Sequence, residues 1–265
     1  MSENKTLKQL KDEKYMGEYI SKFKNGNIKT KYNLINGKRN GECIKYYVNG
    51  NINQKINYVN DKKHGNYQKW YENNQIWFEC NYINDKLDGI YQIWNKNGNI
   101  IIKLNYVNNK KHGKCQEWFK NGSFWKECNY VNDILHGNSQ QFYDNGQLCE
   151  KVKFINNEAD GKYLRWHSNG KLLSKWYYVN GTLEGEYKRW YINGQLTTKC
   201  NYINSILEGK YQIWHENGQL YIETNYLNGN IDGLYKKWNE NGQLEEESNF
   251  VNGELQKKSI HDNGK

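Results

Sequence analysis

His215 and Glu216 stand side by side, directly before Asn217-Gly218. A histidine beside a carboxylate is the residue pair of general acid–base chemistry, because imidazole exchanges protons near neutral pH. Six histidines and six cysteines could in principle ligate a transition metal. The cysteines form no CxxC and no zinc-type spacing. No Gly-rich phosphate loop, Ser-His-Asp order or nucleophile elbow occurs. Glu245, Glu246 and Glu247 are consecutive, and on a strand they alternate between faces instead of pairing. Whether His215 does chemistry therefore depends on the element that carries it.

That element is a repeat. Steps of 24 residues from Gly17 land on glycine ten times: Gly17, Gly41, Gly65, Gly89, Gly113, Gly137, Gly161, Gly185, Gly209 and Gly233. With each glycine as position 0, position 19 is Asn in all ten units, from Asn36 to Asn252. Positions 8 and 9 read Asn-Gly in nine of them, with Asn73-Asn74 in the third. Position 5 is Trp in seven. Position 11 is Ile or Leu except for Phe124, and position 17 is Tyr or Phe except for Leu34.

Asn-Gly between two apolar runs is a hairpin signal, since a type I′ turn needs positive φ at both central residues. With Asn-Gly as those two residues, paired positions sum to 17, so that 2 faces 15 and 6 faces 11. One face then collects positions 2, 4, 6, 11, 13, 15 and 17, and is mainly apolar. The other collects 1, 3, 5, 12, 14, 16 and 18, wetter but interrupted by Trp at 5 and an aliphatic at 18. Recurrent Asn-Gly and Gly disfavour helix. The expected fold is all-β: an elongated antiparallel β-meander of about ten tandem 24-residue β-hairpin repeats, as a single twisted sheet or a solenoid-like array. Residues 1–16 form an N-terminal cap with a short amphipathic helix through Leu7 and Leu10, 17–256 the ten repeats, and 257–265 a truncated half-repeat.

The repeat scatters the candidate chemistry. His64, His112 and His136 share position 23, one per unit. His112 and His136, in neighbouring units, are expected about 10 Å apart, whereas zinc holds nitrogen at about 2 Å. His167 and His215 share position 6, an aromatic slot elsewhere filled by Asn95 and Asn239. Cys80, Cys128 and Cys200 fall at position 15, and Cys43 and Cys115 at position 2. Cys115 is thus expected opposite Cys128, the two acting as small buried hydrophobes. No catalytic, cofactor or metal residue is assigned, and no enzyme activity is expected.

Hydrophobic residues make up only 36%, with 23 Tyr, 10 Trp and no Pro. No segment approaches the roughly 18 apolar residues of a membrane span. The opening MSENKTLKQLKDEKYM has no apolar signal core, which points to an intracellular setting rather than a secreted one. Residues 1–112 carry a net +10 and 113–265 a net −1, summing to +9. Part of the excess lies in one kind of connection: Lys38, Arg39, Lys62, Lys63, Lys86, Lys110 and Lys111. These residues form a candidate edge for an acidic partner, lipid or nucleic acid, or else a solvated edge that resists aggregation. Repeat packing already accounts for the aromatics, which weighs against nucleic acid.

The unit, clearest in GEYKRWYINGQL at 185–196 and GKYQIWHENGQL at 209–220, resembles the MORN repeat. It is most similar to the MORN-variant subclass of bacterial antitoxin-like and large-virus proteins. KKHG at 62–65 and 110–113 resembles the family's K-x-H-G, but His64-Gly65-Asn66-Tyr67 lacks the second glycine of the standard repeat. The resemblance implies a β-hairpin array that serves as a scaffold or binding platform, in bacterial cytoplasm or, for a viral protein, in host cell or virion. Phospholipid contact is proposed for the family. The expected function is a non-catalytic scaffold for a protein partner, with acidic-phospholipid contact at the basic N-terminal edge. The alternative is an antitoxin-like immunity protein that neutralises a toxin by binding it.

Overall fold

A computed structural model describes residues 6–261. The chain divides into two compact units, Met1–Ile134 and Leu135–Lys265. Each is all-β and antiparallel in its repeats. In the first unit, successive strands from Gly17–Lys22 and Ile28–Ile35 to Gly113–Trp118 and Phe124–Val131 each pair with the next. The second unit does the same from Gly137–Phe142 and Leu148–Ile155 to Glu254–Ile260. The half-repeat expected at 257–265 runs partly into 262–265, outside the described residues, as do residues 1–5 of the expected cap.

Backbone conformation explains the recurring Gly and Asn. Positions 19 and 20 both have positive φ in every unit: the Asn column lies between 47° and 53°, and the next residue between 65° and 83°. This two-residue turn, such as Asn60-Asp61, has the double positive φ of type I′. It joins position 18 to 21 and 17 to 22, as in Val59↔Lys62 and Tyr58↔Lys63. The type I′ turn therefore sits at the second connection, not at Asn-Gly.

At Asn-Gly, only the residue at position 9 has positive φ. The His215 N–H donates to the Gln219 carbonyl (2.8 Å), and the Gly218 N–H to the His215 carbonyl (2.9 Å). Glu216, Asn217 and Gly218 form a three-residue loop ending in a left-handed glycine. The extra loop residue is absorbed by a bulge: Gly209↔Tyr226 through Ile213↔Ile222 keep the expected sum, but Trp214 then pairs with Leu220. His215 does not face Leu220, and position 11 crosses to the Trp face. Position 12 joins position 6 instead, as the ring contacts His215–Tyr221 at 4.6 Å and Tyr71–Trp77 at 5.9 Å show.

Burial follows this corrected register. Position 15 is the innermost column: Tyr32, Ile56, Cys80, Leu104 and Cys128 in the first unit, and Val152, Cys200, Thr224 and Ser248 in the second, are all buried. Tyrosines at positions 2 and 17 pack around it, for example Tyr91–Tyr106 at 5.4 Å and Tyr211–Tyr226 at 5.4 Å. The Trp column on the other face stays half-buried.

Side chains tie each turn to the next. The Asn Nδ2 at position 8 donates to the position 7 carbonyl one unit on, as in Asn193 to Glu216 (3.0 Å) and Asn217 to Glu240 (2.7 Å). At the other edge, the position 20 N–H donates back to the position 22 carbonyl of the preceding unit, as in Asp85 to Lys63 (2.9 Å). The Asp85 carboxylate in turn accepts from the Lys63 N–H (2.8 Å).

The helix Leu7–Asp12 starts at Thr6, whose hydroxyl accepts from the Gln9 N–H while the Gln9 side chain accepts from the Thr6 N–H. It buries Leu10 completely against Tyr32, Leu34, Cys43 and Ile56. It lies on the first type I′ turn: a Cβ on Gly37 would come within 2.6 Å of the Lys11 carbonyl oxygen. Asp61 then bridges Lys11 (3.0 Å) and Arg39 (2.7 Å). Partial burial alone would push the Asp61 carboxyl up, but hydrogen bonds from Arg39 and Lys11 outweigh it and hold it at about 2.

Three outcomes are expected. Asn84→Ala loses about 1–2 kcal/mol in urea denaturation, because Ala pays the left-handed penalty, while Asn84→Gly loses much less; equal losses would refute the turn assignment. Deletion of one whole 24-residue unit, 209–232, lowers stability by an increment and leaves the rest folded; loss of all β-sheet circular dichroism would contradict neighbour-only contacts. The carboxyl of Asp61 is lower folded than its ordinary 3.8, so its stabilisation is present above that value and lost as pH falls towards about 2. Asp61→Asn flattens that part of the urea-midpoint pH profile, and an unchanged profile would exclude the bridge.

Candidate functional site: the basic edge of the first repeats

The seven cations expected as one row begin strands immediately after the type I′ turns, at positions 21 and 22. Successive residues on a strand point to opposite faces. The edge is thus split. Lys38, Lys62, Lys86 and Lys110, at position 21, are exposed. They pair across the turn with Ile35, Val59, Ile83 and Val107. Those four aliphatics are 37–46% exposed. Each of the first four turns therefore presents an aliphatic side chain beside an ammonium group on the same face.

Arg39, Lys63 and Lys111, at position 22, lie on the tyrosine face. Arg39 stacks on Tyr58 (3.8 Å from the ring centre), Lys63 on Tyr82 (4.8 Å) and Lys111 on Tyr130 (5.1 Å). Cations over aromatic rings are partly satisfied by the ring quadrupole, so these three are held in the fold in a way the position 21 lysines are not. Sequence reasoning read position 18 only as an interruption of the wetter face. Its pairing with position 21 becomes visible once Asn at 19 is followed by Gly, Asp, Asn or Ser at 20, the composition of a type I′ turn.

The histidines take structural places. The His215 ring lies 2.9 Å, through Nε2, from the Trp238 carbonyl, and His167 lies 3.1 Å from that of Trp190. Tyr47, Tyr71, Tyr143 and Tyr191 donate their hydroxyls to the equivalent carbonyls of Trp70, Trp94, Trp166 and Trp214. A carbonyl only accepts, so Nε2 carries the proton and the imidazole stands in for a phenol. His64 and His136 are exposed, and the His112 N–H continues the sheet ladder to the Asn105 carbonyl (2.9 Å). No group of three or more His, Cys, Asp or Glu among the described residues could hold a metal ion.

Cys115 and Cys128 are direct cross-strand partners, both buried and both free thiols. Their thiol–thiol hydrogen bond pushes Cys115 up and draws Cys128 down. Burial pushes the Cys80 thiol up to about 12 and the Cys200 thiol up to about 11, which keeps them protonated and inert.

Comparison with known proteins fits this geometry. The family model described as MORN repeat variant matches residues 39–60, 63–84, 87–108, 111–132, 135–156, 159–180, 183–204, 207–228 and 231–252. Each window spans one type I′ turn edge to the next, and the first hairpin, Gly17–Ile35, shares the register but lies outside the match. No curated protein matches the chain. Among solved structures, a TcdB2–TccC3–Cdc42 complex is 11% identical, covers 88% of this chain and 14% of its own, and has a TM-score of 0.22. The Tc holotoxin pore of Photorhabdus luminescens is 10% identical, covers 89% and 16%, and also scores 0.22. This chain thus spans a small part of those toxin chains, and at such scores the likeness carries no weight. Nine tandem family windows, each on the same hairpin register, place the chain in the MORN repeat variant family.

Proposed function

We propose that this chain is a non-catalytic scaffold that binds a protein partner, with acidic-phospholipid contact along the position 21 edge of its first four repeats. The observation that carries the lipid contact is the pairing of each exposed lysine with an exposed aliphatic: Ile35 with Lys38, Val59 with Lys62, Ile83 with Lys86 and Val107 with Lys110. An apolar side chain beside a cation suits the boundary between headgroups and acyl chains. Each juxtamembrane cation contributes about 1 kcal/mol at an acidic surface, so four in register suffice for measurable binding while one does not. Supporting a binding role, the side chains that hold the repeats together lie at fixed positions, and those on the faces vary from unit to unit. No helix among the described residues is long and apolar enough to cross a membrane.

Vesicle sedimentation provides the test. The chain is expected to bind phosphatidylserine-containing vesicles, not phosphatidylcholine alone, and to release them as salt rises. The variant Lys38→Gln/Lys62→Gln/Lys86→Gln/Lys110→Gln loses this binding, and Val59→Ser/Ile83→Ser weakens it. Undiminished binding by the lysine variant would eliminate lipid contact at this edge.

A further inference from the structure

The tyrosine face of the first two repeats holds a cleft that the edge does not explain. Its volume is about 580 Å³, within the range of small-molecule sites. The helix Leu7–Asp12 forms one wall through Leu7 and Lys11, and buried Tyr32, Cys43 and Tyr58 form the floor. Lys29 and Lys45 line it, with the hydroxyl residues Ser21 and Thr30 between them.

Two features single this cleft out. The first is a departure from the repeat. Lys29 occupies position 12, where Trp77, Ile101 and Trp125 stand in later units. The second is charge balance. Lys11 and Arg39, which also line the cleft, share the single carboxylate of Asp61, which leaves one of their two charges unbalanced. Lys29 and Lys45 have no ion-pair partner among the described residues, and Lys29 lies 5.8 Å from the centre of the Phe23 ring. In the second unit two cations of the same face are compensated: Arg165 reaches Glu150 (3.9 Å), and Lys237 reaches Glu245 (3.1 Å).

We propose that this cleft binds a small organic or inorganic polyphosphate. Lys29, Lys45 and the one charge left over from the Lys11–Asp61–Arg39 bridge give the concavity three net positive charges, which exceed the charge of a single phosphate group, about −1.5 to −2 at neutral pH, and match two or more linked phosphates. Lysines hold phosphate oxygens as point charges, and serine, threonine and tyrosine hydroxyls supply neutral donors between them. The site lies on the opposite face from the position 21 lysines, so it is separable from the lipid edge.

Titration calorimetry on the full chain tests this with tripolyphosphate, ATP and inorganic phosphate as probes. Tripolyphosphate and ATP are expected to bind at one site per chain, and inorganic phosphate much more weakly. Lys29→Gln/Lys45→Gln weakens tripolyphosphate by roughly tenfold or more, and Lys62→Gln/Lys86→Gln leaves it unchanged. Vesicles bearing a phosphoinositide distinguish the source of the phosphates: binding that tripolyphosphate displaces places them on a lipid headgroup, and no displacement places them on a free metabolite. Absence of tripolyphosphate binding at millimolar concentration would overturn the proposal. So would full binding by Lys29→Gln/Lys45→Gln, or an equal loss in Lys62→Gln/Lys86→Gln, which would reduce the effect to net charge.

Discussion

The fold depends on left-handed backbone at fixed intervals. Each unit reverses direction twice, once through two consecutive positive-φ residues at positions 19 and 20 and once through a single one at position 9. A further positive φ at position 0 accommodates the bulge where each unit joins the next, as at Gly65 (86°) and Gly209 (76°). L-residues other than Gly, Asn and Asp pay roughly 1–2 kcal/mol in that region. Over ten units, that cost exceeds the net stability of a typical domain. The invariant letters of the repeat are therefore those the backbone demands, and the chemistry-bearing letters fall elsewhere.

With reversals fixed by backbone, the remaining side chains divide by task. Those at the turns reach the neighbouring unit: Asn at position 8, Tyr or His at position 6, and Asp, Asn or Ser at position 20. Each satisfies a main-chain group that would otherwise stand at a turn with water as its only partner. His215 belongs to this set. Its ring does for Trp238 what the Tyr191 hydroxyl does for Trp214. Side chains that make no such link are free to change, and the first four repeats use that freedom for the position 21 lysines. The scaffold is regular so that its surface need not be.

The period, hairpins, all-β class and Cys115–Cys128 pairing were legible in sequence, because a two-residue alternation with a fixed sum places partners without further information. The failures were local and share one cause. Asn-Gly is the composition of a type I′ turn, yet Gly218 ends a three-residue loop, and the bulge that follows moves Leu220 to the Trp face. A one-residue bulge leaves no periodic mark when every unit contains it, since the 24-residue spacing is preserved. The split of the basic edge followed from the same blindness: placing Lys62 and Lys63 in a loop hid that one faces Val59 and the other the ring of Tyr82. The cleft beneath the helix was illegible for a different reason. It needs residues 7–12 docked on the Asn36-Gly37 turn, and the repeat contains no such contact to extrapolate from.

Chirality at a single glycine tests the central constraint most directly. Gly233 has φ of 90°, and the Cβ of an L-residue there meets nothing within 4 Å, so any cost of L-alanine comes from the backbone alone. Semisynthetic chains with L-alanine or D-alanine at residue 233 are compared by thermal unfolding. The L-alanine chain should melt at a lower temperature than the parent, and the D-alanine chain at the same or a higher one. Equal melting temperatures for the two enantiomers would contradict the claim that left-handed backbone, rather than contact, fixes the repeating glycines.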